Sequence, residues 1–242
     1  VTLGDGVAYV GNRGNNQVCA IDVRAMRVGG CVALDVMPDG VALVPSAHEV
    51  WVTTPGTHSL TVLTVDGLAA PRAAATVTLD GDTEGYAVDA ARGVFYTNLE
   101  DRDRTLAIDV ATRRVTSTWV PGCGEAGPRG LEIDPARRLF FVACTDHVVT
   151  LDLAHDGAIL GSVATGAGVD DLDYDPSRRL LYVASGATGM VRSVRVDERG
   201  GLQIAASATT APGARNAAVD AQGRVYVVDA AGGRLVIAEP LP

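Results

Sequence analysis

The chain has 242 residues, 47% of them apolar, a net charge of −9 and a pI near 4.8. That is enough apolar residue for a sizeable core and too much for a disordered chain, and the acidic balance argues against a nucleic-acid partner. All 20 basic residues are arginine, which removes Schiff-base chemistry by a lysine amine and fits a GC-rich bacterial genome.

In chain order, short β-branched and aromatic runs alternate with turn residues. "GDGVAYVGN" (4–12) is followed by "VCAIDV" (18–23) and "CVALDV" (31–36). "EVWVTT" (49–54) opens the same cycle again, and "ARGVFYTN" (91–98) and "LAIDVATRRV" (106–115) repeat it. "RRLFFVAC" (137–144), "RRLLYVAS" (178–185) and "GRVYVVD" (223–229) carry it to the end of the chain. One aromatic recurs in each cycle, at Tyr9, Trp51, Phe95, Phe141, Tyr182 and Tyr226, with spacings of 42, 44, 46, 41 and 44 residues. The chain has only eleven aromatics, so six at one repeat position mark a structural unit.

The fourth unit is the clearest. "LEID" (131–134), "LFFVA" (139–143), "VVTLDL" (148–153) and "AILGSVA" (158–164) are four strands separated by turns. No stretch has helical periodicity. Four strands per 40 to 45 residues predict an all-β, six-bladed β-propeller of four-stranded antiparallel blades. The blades fall at about 1–39, 40–84, 85–129, 130–170, 171–215 and 216–242 of a single domain, and the aromatic packs between blades. The sixth unit stops after its third strand. A segment preceding Val1 supplies the missing outer strand, or the last blade has three strands, or a seventh blade lies beyond the sequence.

"FYTN" (95–98) and "LAIDVATRRV", with "AVDAARGVFYTN", "EIDPARRLFFVAC", "DYDPSRRLLYVAS" and "AVDAQGRVYVVD", resemble the YVTN family of β-propeller repeats over nearly the whole chain. The resemblance implies the propeller fold. It is shared by lactonase-like enzymes and surface-layer modules, so it does not fix an activity.

Polar residues return at one place in each complete unit, at the start of the innermost strand: Asp39-Gly40, Glu84-Gly85, Arg129-Gly130, Asp170-Asp171 and Arg215-Asn216. Around the expected channel mouth they read acid, acid, Arg, acid, Arg. Convergent polar groups on an apolar frame suit a ligand site; the same groups could instead satisfy one another. His147 follows Asp146 in a loop on that face and could act as an acid or base, or be a surface histidine. His58 shares the face, while His48 and His155 fall in turns on the opposite one. The polar loops "GNRGNN" (11–16) and "NLEDRDR" (99–105) lie there too; Glu100, Asp101 and Asp103 could bind a cation or form a solvated, internally paired loop.

Glu84-Gly85 with Asn98 is also similar to the gluconolactonase and senescence-marker-protein family, whose propellers hold a divalent metal. The resemblance implies Glu84, with Asn98, Asp171, Asn216 and Asp229 as companions, around Ca²⁺ or Mg²⁺. The proline and tryptophan that follow Glu-Gly in that family are absent, and Tyr86 stands there instead.

The four cysteines form no C-x-x-C pair, which argues against structural zinc and thioredoxin-like chemistry. If Asp22 faces Val28 across a hairpin, Cys19 faces Cys31. Cys123 enters the fourth unit and Cys144 leaves its second strand on the same face. Two disulfides, or else four buried thiols, follow; the disulfides imply an exported, periplasmic or extracellular protein whose leader has been removed. No apolar run is long enough to span a bilayer, and no serine sits on a nucleophile elbow.

Two functions remain open. One is a non-catalytic binding or scaffold propeller that recognises a small polar molecule or another protein at the channel mouth. The other is a metal-dependent, lactonase-like hydrolase, with Asp170, Asp171 or His147 as base and Arg129 and Arg215 orienting an anionic substrate.

Overall fold

In four blades the innermost strand leads into an aspartate that organises its own turn. Asp89, Asp134, Asp175 and Asp220 end or follow innermost strands, accept backbone N–H groups two to four residues on, and pair with the arginine of the same turn. The pairs Arg92–Asp89, Arg137–Asp134, Arg178–Asp175 and Arg224–Asp220 measure 2.7, 2.8, 2.5 and 2.7 Å. A short acid that can bond its own downstream backbone is what such a turn requires. Asp22, Asp109 and Asp152 do the same in the hairpin between third and fourth strands. Much of the chain's acidity is therefore spent on turns.

A computed structural model describes residues 1–239. The described residues form 23 strands and four short 3-10 turns, without an α-helix. The chain divides into two compact units, Val1–Thr118 and Trp119–Pro242.

The first unit holds three sheets. Blade one is β1 (Thr2–Gly4), β2 (Val7–Asn12), β3 (Gln17–Asp22) and β4 (Arg27–Ala33). Blade two is β5 (Val41–Val44), β6 (Glu49–Thr54), β7 (Ser59–Thr64) and β8 (Arg72–Thr78). Blade three is β9 (Thr83–Asp89), β10 (Val94–Leu99), β11 (Arg104–Asp109) and β12 (Arg114–Trp119). The second unit holds blade four, β13 (Pro128–Asp134), β14 (Leu139–Cys144), β15 (His147–Asp152) and β16 (Ala158–Ala164). Blade five is β17 (Val169–Asp175), β18 (Leu180–Ser185), β19 (Met190–Val196) and β20 (Leu202–Thr209). Blade six has three strands among the described residues, β21 (Ala217–Val219), β22 (Val225–Asp229) and β23 (Arg234–Ala238). Within every sheet the strands follow chain order and pair antiparallel, which gives the all-β, six-bladed β-propeller fold.

Five of the six repeat aromatics pack between neighbouring blades, as the spacing predicts, and the sixth, Tyr226, bonds Asp220 of its own blade. In the first unit Tyr9 joins Val41, Val50 and Val52 of the next blade, and Trp51 stacks on Phe95 at 4.9 Å. In the second, Phe141 meets Tyr174 at 4.7 Å, and Tyr182 packs on Val225 and Val227. Each buried ring removes enough apolar surface to stabilise by about 1.5–3 kcal/mol.

Two registers differ from expectation. Innermost strands β9, β13 and β17 each begin two residues before the expected blade starts, because the charged pairs lie within them. In blade one Asp22 faces Arg27, not Val28, which faces Ile21. A bulge between Cys19 and Ile21 absorbs the offset, so Cys19 still faces Cys31. Both disulfides, Cys19–Cys31 and Cys123–Cys144, are formed.

Candidate polar site on the innermost strands

Three of the five pairs sit in β-bulges; Asp39-Gly40 and Arg215-Asn216 precede strands that pair without a shift. In blade three the register with β10 slips between Thr97 and Leu99, setting Glu84 and Gly85 against the single residue Asn98. In blade four it slips between Pro128 and Leu131, around Arg129 and Gly130. In blade five it slips between Val169 and Leu172, around Asp170 and Asp171. A bulge takes side chains out of the strict alternation and re-aims them. The same device in three consecutive blades explains why charge recurs where the strand is otherwise apolar. The glycine partners permit close approach. A Cβ on Gly130 would stand 2.5 Å from Asp171 Oδ1, and one on Gly40 would stand 2.2 Å from the Tyr86 ring.

In the first unit Asp39 pairs with Arg13 at 3.2 Å, so the "GNRGNN" loop folds back on its own blade's neighbour. The backbone of Asp39 and Gly40 is bonded to Thr53, and the Tyr86 hydroxyl donates to the Val41 carbonyl. His58 Nε2 lies 3.0 Å from Asp82. Asp101 accepts the Asp82 N–H at 2.7 Å, and Arg102 donates to the Asp80 carbonyl. The "NLEDRDR" loop is therefore tied to the strand junction beside it.

The second unit carries the denser group. Asp170 Oδ2 receives Asn216 Nδ2 at 3.1 Å and Arg215 Nε at 3.4 Å, so two consecutive blades meet on one carboxylate. The backbone N–H groups of Asp170 and Asp171 both point to the Arg215 carbonyl. Asp171 accepts the Leu172 N–H at 2.9 Å. Water reaches its carboxylate, but the surrounding protein strips hydration from it, and with Asp170 and Asp173 nearby this pushes its pKa up to about 6. His147 bonds Asp146 at 2.6 Å at the start of β15.

Two further carboxylates complete the group, and the sequence reading passed over both. Glu132 lies opposite the aromatic Phe141, and Asp173 opposite Tyr182. In blades two, three and six the same register holds Ala42, Val88 and Ala218. Lost hydration, with the charges of Asp173 and Asp171 added, pushes Glu132 up to about 8. Burial also raises Asp173, although its Oδ2 accepts the Val219 N–H of blade six at 2.7 Å. The signal was present: an acid at an inner-strand position that other units fill with an uncharged residue, Thr2 in blade one.

The residues that leave the second strand have structural partners. Asn12 caps Gly14, Thr54 bonds Ser59, and Ser185 bonds the Thr165 carbonyl. Asp229 takes Gly232 and Arg234. Asn98 is buried and accepts the Thr105 hydroxyl at 2.7 Å. Of the residues implied as metal ligands, Glu84 and Asn98 belong to the first unit and Asp171, Asn216 and Asp229 to the second. Among the described residues no group of three or more His, Cys, Asp or Glu is placed to hold a metal ion.

The fold and the inner-strand group define a β-propeller with a polar constellation on bulged strands. Solved structures with the same fold include one in a mitotic checkpoint complex, at TM-score 0.80 and 13% identity, covering 98% of this chain and 72% of that one. Another is Kuenenia stuttgartiensis hydrazine synthase, at 0.79 and 16%, covering 96% and 73%. A 6-phosphogluconolactonase-like protein of Bacteroides fragilis matches at 0.74 and 12%, covering 87% and 70%. At these identities the likeness concerns the fold alone. No family model matches the chain, and no curated protein matches it.

Proposed function

We propose that this is a non-catalytic binding propeller that recognises a small polar ligand, or a polar element of a partner protein, at the bulged ends of its innermost strands. The observation that carries the reading is the constellation on blades four to six. Asp170 gathers Arg215 and Asn216, while Asp171 and Asp173 stand close enough to Glu132 to raise its pKa, and Asp170 and Asp173 raise that of Asp171. Rigid strands hold these groups in place, which is the preorganisation a polar site needs. Arg129 and His147 flank the group in sequence and register, and Asp39 and Glu84 hold the matching positions in blades two and three. The two disulfides support an exported protein.

Thermal melting against a panel of small polar solutes tests the reading, since a native-state ligand stabilises in proportion to its binding. A solute that raises Tm in the wild type is expected to lose its effect in Asp170→Asn. A solute whose effect survives that substitution would place binding elsewhere. Ca²⁺ and EDTA belong in the same panel. A shift with Ca²⁺ that Glu84→Gln removes would favour the lactonase-like hydrolase instead.

A further inference from the structure

Blade two breaks the turn pattern of its neighbours. In blades three, four and five the innermost strand ends on Asp89, Asp134 or Asp175, and the arginine three residues on, Arg92, Arg137 or Arg178, pairs with it. Register puts Val44 and Ala47 at those two positions in blade two, because Val44 faces Glu49 as Asp134 faces Leu139 and Asp175 faces Leu180. Acid and arginine are missing together.

The turn arginine also reaches the next blade. Arg137 donates to the Asp197 carbonyl at 3.0 Å and to the Tyr174 hydroxyl at 2.6 Å, and Arg178 approaches the Ala221 carbonyl at 3.4 Å. Ala47 is too short to do this. A hollow of about 380 Å³ opens instead, walled by Ser46, Ala47 and Glu49 of blade two and by Gly93, Asp109 and Arg113 of blade three. Ala111 lines it as well and matches Asp197, since the Val110 N–H bonds the Gly93 carbonyl as the Val196 N–H bonds the Arg179 carbonyl. Among the described residues no backbone donor reaches the Ala111 carbonyl.

Four charged side chains line the hollow, Arg92, Arg113, Glu49 and Asp109, two of each sign. Arg92 is committed to Asp89 at 2.7 Å, and the two oxygens of Glu49 to Trp51 Nε1 at 2.9 Å and Arg113 at 2.7 Å. Arg113 spends one nitrogen on Glu49, out of the five N–H donors of a guanidinium. Asp109 Oδ1 accepts the Thr112 hydroxyl and N–H, both at 2.7 Å, which holds the carboxyl ionised; Oδ2 takes no side-chain donor among the described residues. One guanidinium edge, one carboxylate oxygen and one carbonyl therefore stand available on a single hairpin turn.

We propose that this hollow binds a free α-amino acid, with the carboxylate on Arg113 and the ammonium on Asp109 and the Ala111 carbonyl. A zwitterion answers both signs and adds no net charge to a lining that carries none. A plain anion would leave Asp109 unmatched, and a plain cation would leave Arg113. The volume lies at the small end of ligand pockets. The hollow sits at the opposite end of the innermost strands from the polar pairs and uses none of them.

Calorimetric titration of the 242-residue protein with each of the common L-amino acids is the test. At least one is expected to bind saturably with a Kd below about 1 mM. Its N-acetyl and carboxamide forms should each bind at least about tenfold more weakly, because each removes one of the two charges. Ala47→Arg restores the side chain that blades three to five carry, and Ala47→Leu fills the same space without charge. Both should abolish binding and melt no lower than the wild type, whereas Asp170→Asn should bind as the wild type does. No binding up to about 10 mM overturns the proposal. So does an N-acetyl form that binds equally well, binding that survives both Ala47 variants, or binding that Asp170→Asn removes, which would belong to the inner-strand site.

Discussion

Replacing Glu132 by glutamine should stabilise the protein, and only above a defined pH. Glu132 titrates near 8 in the folded chain against an ordinary 4.5, because hydration is lost and Asp173 and Asp171 crowd it. A carboxyl whose folded pKa is raised binds its proton more tightly in the native state. Its contribution is therefore fully present below the unfolded pKa and declines as pH rises, with the loss complete above about 8. At about 1.4 kcal/mol per pH unit the window corresponds to about 5 kcal/mol. Glu132 is only partly covered and its neighbours also take up protons, so about 2 kcal/mol is the working figure. Glutamine keeps the shape and removes the charge. At pH 5 the variant should melt with the wild type; at pH 8.5 it should melt higher by roughly 4–8 °C, at 2–4 °C per kcal/mol for a chain this long. Asp171→Asn should show the same sign with its window ending near pH 6. Identical melting of Glu132→Gln and wild type at both pH values, or a lower Tm at pH 8.5, would refute the crowded-carboxylate account.

Joint replacement of Cys123 and Cys144 by serine should lower stability by about 3 kcal/mol, the loop-closure value for a crosslink spanning 21 residues, measured by denaturant unfolding under non-reducing conditions; a loss under about 1 kcal/mol would mean the loop is ordered without the bond. Tyr174→Phe should cost about 1–2 kcal/mol, because the hydroxyl donates to Asp134 at 2.9 Å and accepts from Arg137 at 2.6 Å. Burial alone would raise Asp134, but the Arg137 backbone N–H, its guanidinium and the Tyr174 hydroxyl outweigh it and hold the pKa low. The stability from a depressed carboxylate is present above its unfolded pKa and lost as pH falls through the folded one. Acid unfolding of the variant should therefore begin at a higher pH, and an unmoved acid limb would show that Tyr174 contributes nothing there.

The architecture was legible because propeller repeats write their geometry in one dimension. Six aromatics at nearly even spacing are six copies of one packing position, and the structure places Tyr9, Trp51, Phe141 and Tyr182 against the next blade. The disulfides were legible for the same reason, through strand register. The slip at Asp22 shows the limit: a bulge shifts alignment by one residue, and the hairpin sequence does not announce it. The site was half legible. Its position was readable because polar pairs recur at inner-strand starts, but the bulges that hold them were not. Glu132 and Asp173 are not marked by the recurrence at the strand ends, because both lie at mid-strand positions filled by Ala42, Val88 and Ala218 in other blades.

That contrast bears on what kind of protein this is. An acid crowded by other carboxylates and partly stripped of water is costly unless something compensates it, and the turn aspartates are compensated within their own loops. Asp173 is bonded to a backbone N–H of blade six, which gives it a structural reason. Glu132 accepts the backbone N–H of Ile133 and has the like charges of Asp173 and Asp171 beside it, and so carries a destabilising cost at neutral pH. Folded proteins retain such groups where function requires them. On the proposed function, the cost that Glu132 carries above pH 7 is one that a bound ligand would offset. The pH-resolved melting of Glu132→Gln, repeated with any solute found to bind, separates that role from a mere packing fault: a ligand-linked carboxylate loses solute stabilisation as it gains intrinsic stability, and a packing fault does not.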